Sequence, residues 1–115
     1  MPDITRAISI RQPFAELILR GDKRAEYRSQ LTNIRERVFV YASKNPAESP
    51  EAWERVGSAP GELPTGLIVG SVEITDCRWD RRSQCYAYAL KAARRLRKPL
   101  RPTNQPQPKF WIPKY

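Results

Sequence analysis

Histidine is absent from this 115-residue chain, and cysteine occurs only twice. Without histidine the most common general base is missing, and so is every Ser-His or Cys-His nucleophile pair. Cys77 and Cys85 flank a predicted turn, where as a hairpin pair they could lie close together. We interpret them as two reduced, half-buried thiols, because the sequence shows no secretory signal. Two cysteines without histidine also argue against a zinc site. We therefore expect no metal and no cofactor.

Long apolar runs are missing as well. No stretch of 18 apolar residues is present, and the N-terminal Met-Pro-Asp-Ile lacks the basic-then-apolar pattern of a signal peptide. We therefore expect a cytoplasmic protein with no membrane partner. The length suits one domain with a modest core, so residues 1–115 are assigned to a single domain that is assumed to be monomeric.

Acidic residues are scarce in the last third of the chain. Residues 1–76 hold ten Lys/Arg and eleven Asp/Glu, whereas residues 77–115 hold eleven Lys/Arg and a single acid, Asp80. The net charge of +9 therefore belongs to the C-terminal third. Such a segment favours a polyanionic partner, because each neutralised phosphate releases condensed counterions.

The N-terminal residues predict a strand, a corner and a helix. Residues 7–10 place β-branched isoleucine at every second position, and this alternation is typical of a short strand. Pro13 suits the first turn of a helix, residues 14–18 carry apolar side chains at helical spacing, and Gly21 suits the helix end. Residues 23–28 then predict a second extended segment.

Later residues predict more strands and one more helix. Strands are predicted at 35–43, 66–75 and 86–90, and a short acidic helix at 47–56. Residues 91–98 have helical propensity, but prolines follow directly, so we favour an extended conformation there.

The last fifteen residues, 101–115, form a basic tail rich in proline. It nevertheless contains the apolar run Phe110-Trp-Ile112, which is too hydrophobic to leave in water. We predict that this run packs back on the domain as an edge strand.

Two motifs near the N-terminus carry a family resemblance. The corner Ser9-Ile-Arg-Gln-Pro13 and the segment Gly21-x-Lys23-x-x-Glu26-x-Arg28 resemble the ASCH family, the ASC-1 homology domain of the PUA-like superfamily. The strands at 38–44 and 66–73 fit the family in order. The resemblance implies an α+β fold, namely a small PUA-like β-barrel with one or two short helices. It implies a cleft lined by the second motif, and a function in RNA binding, duplex binding or hydrolysis.

Lys23 and Glu26 are the most specific pair of candidate site residues. Three residues apart on an extended segment, their side chains point to opposite faces unless the strand bends, which favours a Glu26–Arg28 salt bridge and a solvated Lys23. The resemblance favours a lysine and a glutamate that share the cleft. If the protein is an enzyme, the predicted catalytic residues are Lys23, Glu26 and Tyr27, which would activate an RNA 2′-hydroxyl and stabilise the phosphorane.

The predicted nucleic-acid contacts come from three places. Arg11 and Gln12 offer donors and an amide to a phosphate or a base edge, or they cap the helix that follows. Ser43 and Lys44 either extend the mouth of the cleft or are ordinary exposed loop residues. The complete predicted set is Arg11, Gln12, Arg28, Ser43, Lys44, Arg94, Arg95, Arg97, Lys98 and Arg101.

Aromatic residues precede and follow the basic stretch. Trp79, Tyr86 and Tyr88 lie before it, and Trp111 lies in the tail. Rings beside cations suit unpaired nucleic acid, since bases stack on the rings while the cations hold phosphate. For Tyr88 and Trp111 a role in the core is favoured.

The predicted function is a nucleic-acid-binding module, with RNA preferred. The alternative is a hydrolase that acts on RNA or on a modified nucleoside, either a metal-independent ribonuclease or an amidohydrolase. ASCH-like N4-acetylcytidine amidohydrolases use a threonine three residues after the lysine as nucleophile. Glu26 occupies that position here, which argues against the amidohydrolase reaction. An adaptor that binds proteins through its proline-rich tail ranks last.

Overall fold

A computed structural model describes residues 3–115. Met1 and Pro2, which the predicted domain includes, lie outside the described residues. The elements in chain order are β1 (Ala7–Ile10), α1 (Phe14–Leu19), β2 (Ala25–Arg28), β3 (Arg37–Ala42), α2 (Pro50–Val56), β4 (Leu67–Asp80), β5 (Cys85–Leu100) and β6 (Phe110–Trp111). The strands form one six-stranded sheet in the order β2-β5-β4-β3-β1-β6. β1 is parallel to β3, and the other neighbouring pairs are antiparallel.

The α+β class with two short helices is confirmed, but the sheet is not a closed barrel. Within residues 3–115 no ladder joins the edge strands β2 and β6. Two side-chain contacts lie near this gap: Arg28 of β2 donates from Nη1 to the carbonyl oxygen of Pro108, two residues before β6, at 2.9 Å. The ring of Phe110 in β6 stacks on that of Tyr88 in β5, with centroids 6.2 Å apart. Pro106 and Pro108 have no N–H to donate, which explains why no ladder forms just before β6.

A long hairpin of β4 and β5 dominates the sheet. The sequence predicted strands only at 66–75 and 86–90, whereas the structure extends them to 67–80 and 85–100. The basic stretch 91–98 is extended, as favoured. Alanine, lysine and arginine have little strand preference of their own. Pairing with β4 therefore stabilises the strand conformation of this stretch, which its composition does not predict.

The two cysteines lie on this hairpin as free, partly buried thiols, as interpreted from the sequence. Cys77 pairs with Tyr88, and Cys85 pairs with Asp80. The two thiols are therefore offset by three positions, roughly 10 Å along the strand. The alternative that they lie close together is wrong.

Buried residues lie on both faces of the sheet, because successive side chains of a strand point to opposite faces. One face carries the main apolar cluster, in which Ile8 and Val40 meet Ile18 of α1. The other face carries a smaller cluster that includes Tyr41 and Trp111. The Trp111 side chain of the edge strand β6 thus contributes to the apolar cluster on this second face.

Gly70 marks a close approach of α1 to the sheet. The β4–β5 register shifts between Ile68 and Gly70. A Cβ atom at Gly70 would lie 2.4 Å from the carbonyl oxygen of Arg94 and 2.4 Å from a methyl carbon of Leu19. A glycine inside a strand often marks a bulge or a close backbone approach, and both occur at Gly70.

Candidate nucleic-acid interface

A cleft of about 570 Å³ opens at one edge of the sheet. Because β1 and β3 are parallel, the residues that follow their carboxyl ends lie side by side. Arg11 follows β1, and Ser43 and Lys44 follow β3. Glu26 and Arg28 of β2 complete this part of the lining. The cleft therefore brings together five of the predicted site residues from three strands.

The tail forms a further wall of the cleft. Pro106, Gln107 and Pro108 line it. The hydroxyl of Ser9 donates to the carbonyl oxygen of Gln107, and Arg28 donates to that of Pro108. The sequence predicted that the tail packs back on the domain, but it gave no sign that the tail would line the site.

Glu26 is held by cations on both sides. Arg28 donates from Nε and Nη2 to Oε2 of Glu26 at 2.9 and 2.8 Å, and Lys23 places Nζ 3.5 Å from Oε1. Arg28 also donates to the carbonyl oxygen of Ser9 at 2.6 Å. The Glu26–Arg28 salt bridge and the Lys23–Glu26 contact thus coexist. Arg28 joins β2, β1 and the tail, so much of its donor capacity is already used.

Lys23 and Tyr27 line a different hollow from the cleft. The Lys23 ammonium lies 5.3 Å from the ring centroid of Phe14 and 5.2 Å from that of Tyr27, within cation–π range. Phe14 lines both the cleft and this neighbouring hollow of about 530 Å³. The predicted catalytic trio therefore meets around Lys23, but only Glu26 lines the cleft.

Gln12 is buried rather than presented to the cleft. Its Nε2 donates to the carbonyl oxygen of Pro64 at 3.0 Å, and its Oε1 accepts from the backbone N–H of Glu16 at 3.0 Å. Only 1% of its surface is exposed. Gln12 caps the start of α1 and anchors the loop after α2, so the structure does not bring it to a nucleic-acid ligand.

Arg95 is also engaged elsewhere. It donates from Nη1 and Nη2 to the two carboxylate oxygens of Glu16, both at 2.8 Å, and Arg20 donates to Oε2 of Glu16 at the same distance. The hydrogen bonds from Arg95 hold the pKa of Glu16 below its ordinary value of 4.5, although burial acts in the opposite direction. Arg95 thus fastens β5 to α1.

The other predicted cations of the C-terminal third are exposed. In the described part of the chain, none of their side chains takes part in a salt bridge or a hydrogen bond. We call them the basic segment: Arg94, Arg97, Lys98 and Arg101. None of these four side chains lines the cleft. Arg101, however, lies near Tyr41, and Tyr41 is a lining residue of the cleft. Burial raises the pKa of Tyr41, and the Arg101 charge acts to lower it. Tyr41 therefore lies between the cleft and the end of the basic segment.

The cleft rim carries two free cations. Among residues 3–115, the side chains of Arg11 and Lys44 form no salt bridge and no hydrogen bond. The one lining carboxylate, Glu26, is already paired with Arg28 and Lys23. The arrangement suits an anionic ligand beside a hydroxyl and an aromatic ring.

Across residues 3–115, no group of three or more His, Cys, Asp or Glu side chains could hold a metal ion. Over the same range, no helix is long and apolar enough to cross a membrane.

Comparison with known proteins gives one family. The model of the ASCH domain matches residues 8–103. Activating signal cointegrator 1 of Homo sapiens and that of Mus musculus are each 31% identical in an alignment of 80 residues that covers 61% of this chain and 14% of theirs. This chain thus spans about one seventh of the length of those relatives.

Solved structures show the same fold. ASCH from Zymomonas mobilis has a TM-score of 0.63 at 16% identity, covering 93% of this chain and 85% of that one. A single-residue mutant of that protein has a TM-score of 0.64 at 16% identity, covering 97% and 90%. The family model, which matches residues 8–103 and thus most of the chain, shows that the chain belongs to the ASCH domain family.

Proposed function

We propose that this domain binds unpaired nucleic acid, RNA in preference to DNA, with one nucleotide in the cleft and neighbouring phosphates on the basic segment. The observation that carries the proposal is the pair of free cations, Arg11 and Lys44, on the rim of a cleft whose carboxylate is already neutralised. An anionic group that enters the cleft meets two charge-assisted donors and no competing free acid.

The size and lining of the cleft suit one nucleotide. Its volume of about 570 Å³ lies within the roughly 300–1,000 Å³ typical of small-ligand sites. Phe14, which is partly exposed, supplies aromatic surface, and Ser43 supplies a hydroxyl that both donates and accepts. A ribose 2′-hydroxyl also donates and accepts, which supports the preference for RNA.

The basic segment supports a polymeric rather than a small anionic ligand. Its four side chains have no acidic partner in the described chain, and they repel one another in the free protein. A phosphate backbone relieves that repulsion along several residues at once. Hydrolysis is less well supported, because Lys23 and Tyr27 line the hollow beside the cleft rather than the cleft itself.

The test compares cations inside and outside the cleft. With a labelled, unstructured RNA octamer, Arg11→Ala and Lys44→Ala should each weaken binding about tenfold, the loss expected for one charge-assisted hydrogen bond. The matched control is Arg55→Ala, which removes the same charge from the exposed face of α2, outside the cleft. It should change the affinity less than twofold.

Fluorescence polarisation at fixed salt measures all three variants. Equal losses for Arg11→Ala and Arg55→Ala would mean that only net charge matters and that the cleft is not the site. Equal affinity for RNA and DNA octamers of the same sequence would remove the RNA preference.

A further inference from the structure

The tip of the β4–β5 hairpin carries the least buried tryptophan of the chain. Trp79 is 50% exposed, whereas Trp53 and Trp111 are 8% and 6% exposed. Tyr86 lies directly opposite Trp79 in the ladder and packs against it edge to face, with ring centroids 5.1 Å apart. The pair stabilises the hairpin end, yet half of the indole surface remains in water.

Two arginines follow this tryptophan in the connecting loop 81–84. The side chains of Arg81 and Arg82 are exposed, and neither forms a salt bridge or a side-chain hydrogen bond in the part of the chain described. The neighbouring acid, Asp80, accepts hydrogen bonds from the hydroxyl and from the backbone N–H of Ser83, which hold its pKa below the ordinary value of 3.8. Asp80 therefore shapes the turn, while the two guanidinium groups stay available.

The hairpin tip lies on the same face of the sheet as part of the cleft lining. Arg28 of β2 pairs with Tyr86, and Tyr86 pairs with Trp79. Residues directly opposite each other in a ladder project to the same face, so these three side chains form one row. Two inter-strand spacings separate the backbones of Arg28 and Trp79, about 10 Å in all. That distance is about three nucleotide steps of a stacked strand.

We infer that the hairpin tip is a second nucleotide subsite, which extends the proposed RNA-binding function and rests on it. A base of an unpaired strand stacks on the open surface of Trp79, and Arg81 and Arg82 hold the phosphates beside it. Unpaired nucleic acid is the ligand that this chemistry favours, because base stacking needs a base outside a duplex and the arginines need an anion. The cleft selects one nucleotide, and the tip lengthens the site.

Oligonucleotides of two lengths test the subsite. For an RNA octamer, Trp79→Leu should weaken binding about 5- to 100-fold, the range expected for losing one base–aromatic stack, while Trp79→Phe keeps a ring and should retain most of the affinity. For a dinucleotide, which fills the cleft but does not reach the tip, both variants should match the wild type. Equal melting temperatures of the two variants control for folding.

Tryptophan fluorescence reports the same event directly. Octamer binding should quench the emission of the wild type, and the quenching should fall sharply in Trp79→Phe, because the other two tryptophans are buried. If Trp79→Leu binds the octamer as tightly as the wild type while Arg11→Ala binds it weakly, the subsite inference is overturned and the cleft function stands. If the wild type does not bind the octamer, both proposals fail.

Discussion

Trp111→Ala is expected to lower the free energy of unfolding by about 3–5 kcal/mol, the usual loss for truncating a buried tryptophan. Trp111 is 6% exposed and lies edge to face with Tyr41, with ring centroids 5.2 Å apart. Its indole N–H donates to the hydroxyl of Ser9 at 3.0 Å. Alanine would lose the apolar contact, the aromatic pair and the hydrogen bond together.

The same substitution should loosen the cleft. Phe110 and Trp111 are the two residues of β6 that pair with β1, and only Lys109 separates them from the cleft wall at 106–108. We therefore expect weaker RNA binding even at a temperature where the variant is fully folded.

Urea denaturation measures the stability change, with Ile112→Ala as the matched control. Ile112 is the next residue of the tail, but it is 54% exposed. Its truncation should cost well under about 1 kcal/mol. Equal losses for the two variants would contradict the assignment of the tail as a packed part of the domain.

Arg95→Ala is expected to lower the free energy of unfolding by about 2–3 kcal/mol, since it removes two charge-assisted hydrogen bonds from a buried carboxylate. Glu16 is only 7% exposed and would keep Arg20 as its remaining charged partner. Arg97→Ala is the matched control on the same strand. Its side chain is exposed and has no partner within residues 3–115, so its loss should stay within about 0.5 kcal/mol.

The cost of Arg95→Ala should depend on pH. The folded state holds the pKa of Glu16 below its ordinary value of 4.5, chiefly through Arg95, so the stabilisation is fully present above that value. It is lost as the pH falls through the lowered pKa of the folded state, because protonated Glu16 no longer attracts the arginine. The stability difference between wild type and variant, measured by urea denaturation, should therefore be constant from pH 6 to 7 and shrink below about pH 4. A difference that persists unchanged at pH 3 would contradict the ion pair.

The two arginines should also differ in RNA binding. Arg97 belongs to the basic segment and Arg95 does not, so Arg97→Ala should weaken RNA binding more than Arg95→Ala, the reverse of the order in stability. The sequence could not separate them, because both stand in the same run of basic residues. The distinction depends on Glu16, which lies 79 positions away along the chain.

Local patterns predicted most elements and the family. The strand at 7–10, the helix that follows Pro13 and the strand at 35–43 correspond to β1, α1 and β3. Their signals are short-range: alternation, helical spacing and a corner motif. The length of β5 was missed, because its second half owes its conformation to β4 rather than to its own residues.

The site was harder to predict than the elements. The motif located Glu26 and Arg28, but the meeting of Arg11 with Ser43 and Lys44 follows from the parallel pairing of β1 with β3, which no local pattern specifies. The distribution of charge along the sequence also failed to predict the charge of the cleft rim. Residues 1–76 are nearly neutral as a whole, yet pairing neutralises Glu26 and leaves the rim cationic.

The most direct test of the proposed function is the salt dependence of RNA binding. In a plot of the logarithm of the association constant against that of salt concentration, each neutralised phosphate of a single strand contributes a slope of about −0.7. If the two cleft cations and the four cations of the basic segment each contact a phosphate, the octamer should give a slope of about −4. The double variant Arg11→Ala/Lys44→Ala should reduce the slope by about 1.4. An affinity that does not change between low and moderate salt would contradict electrostatic nucleic-acid binding by this domain.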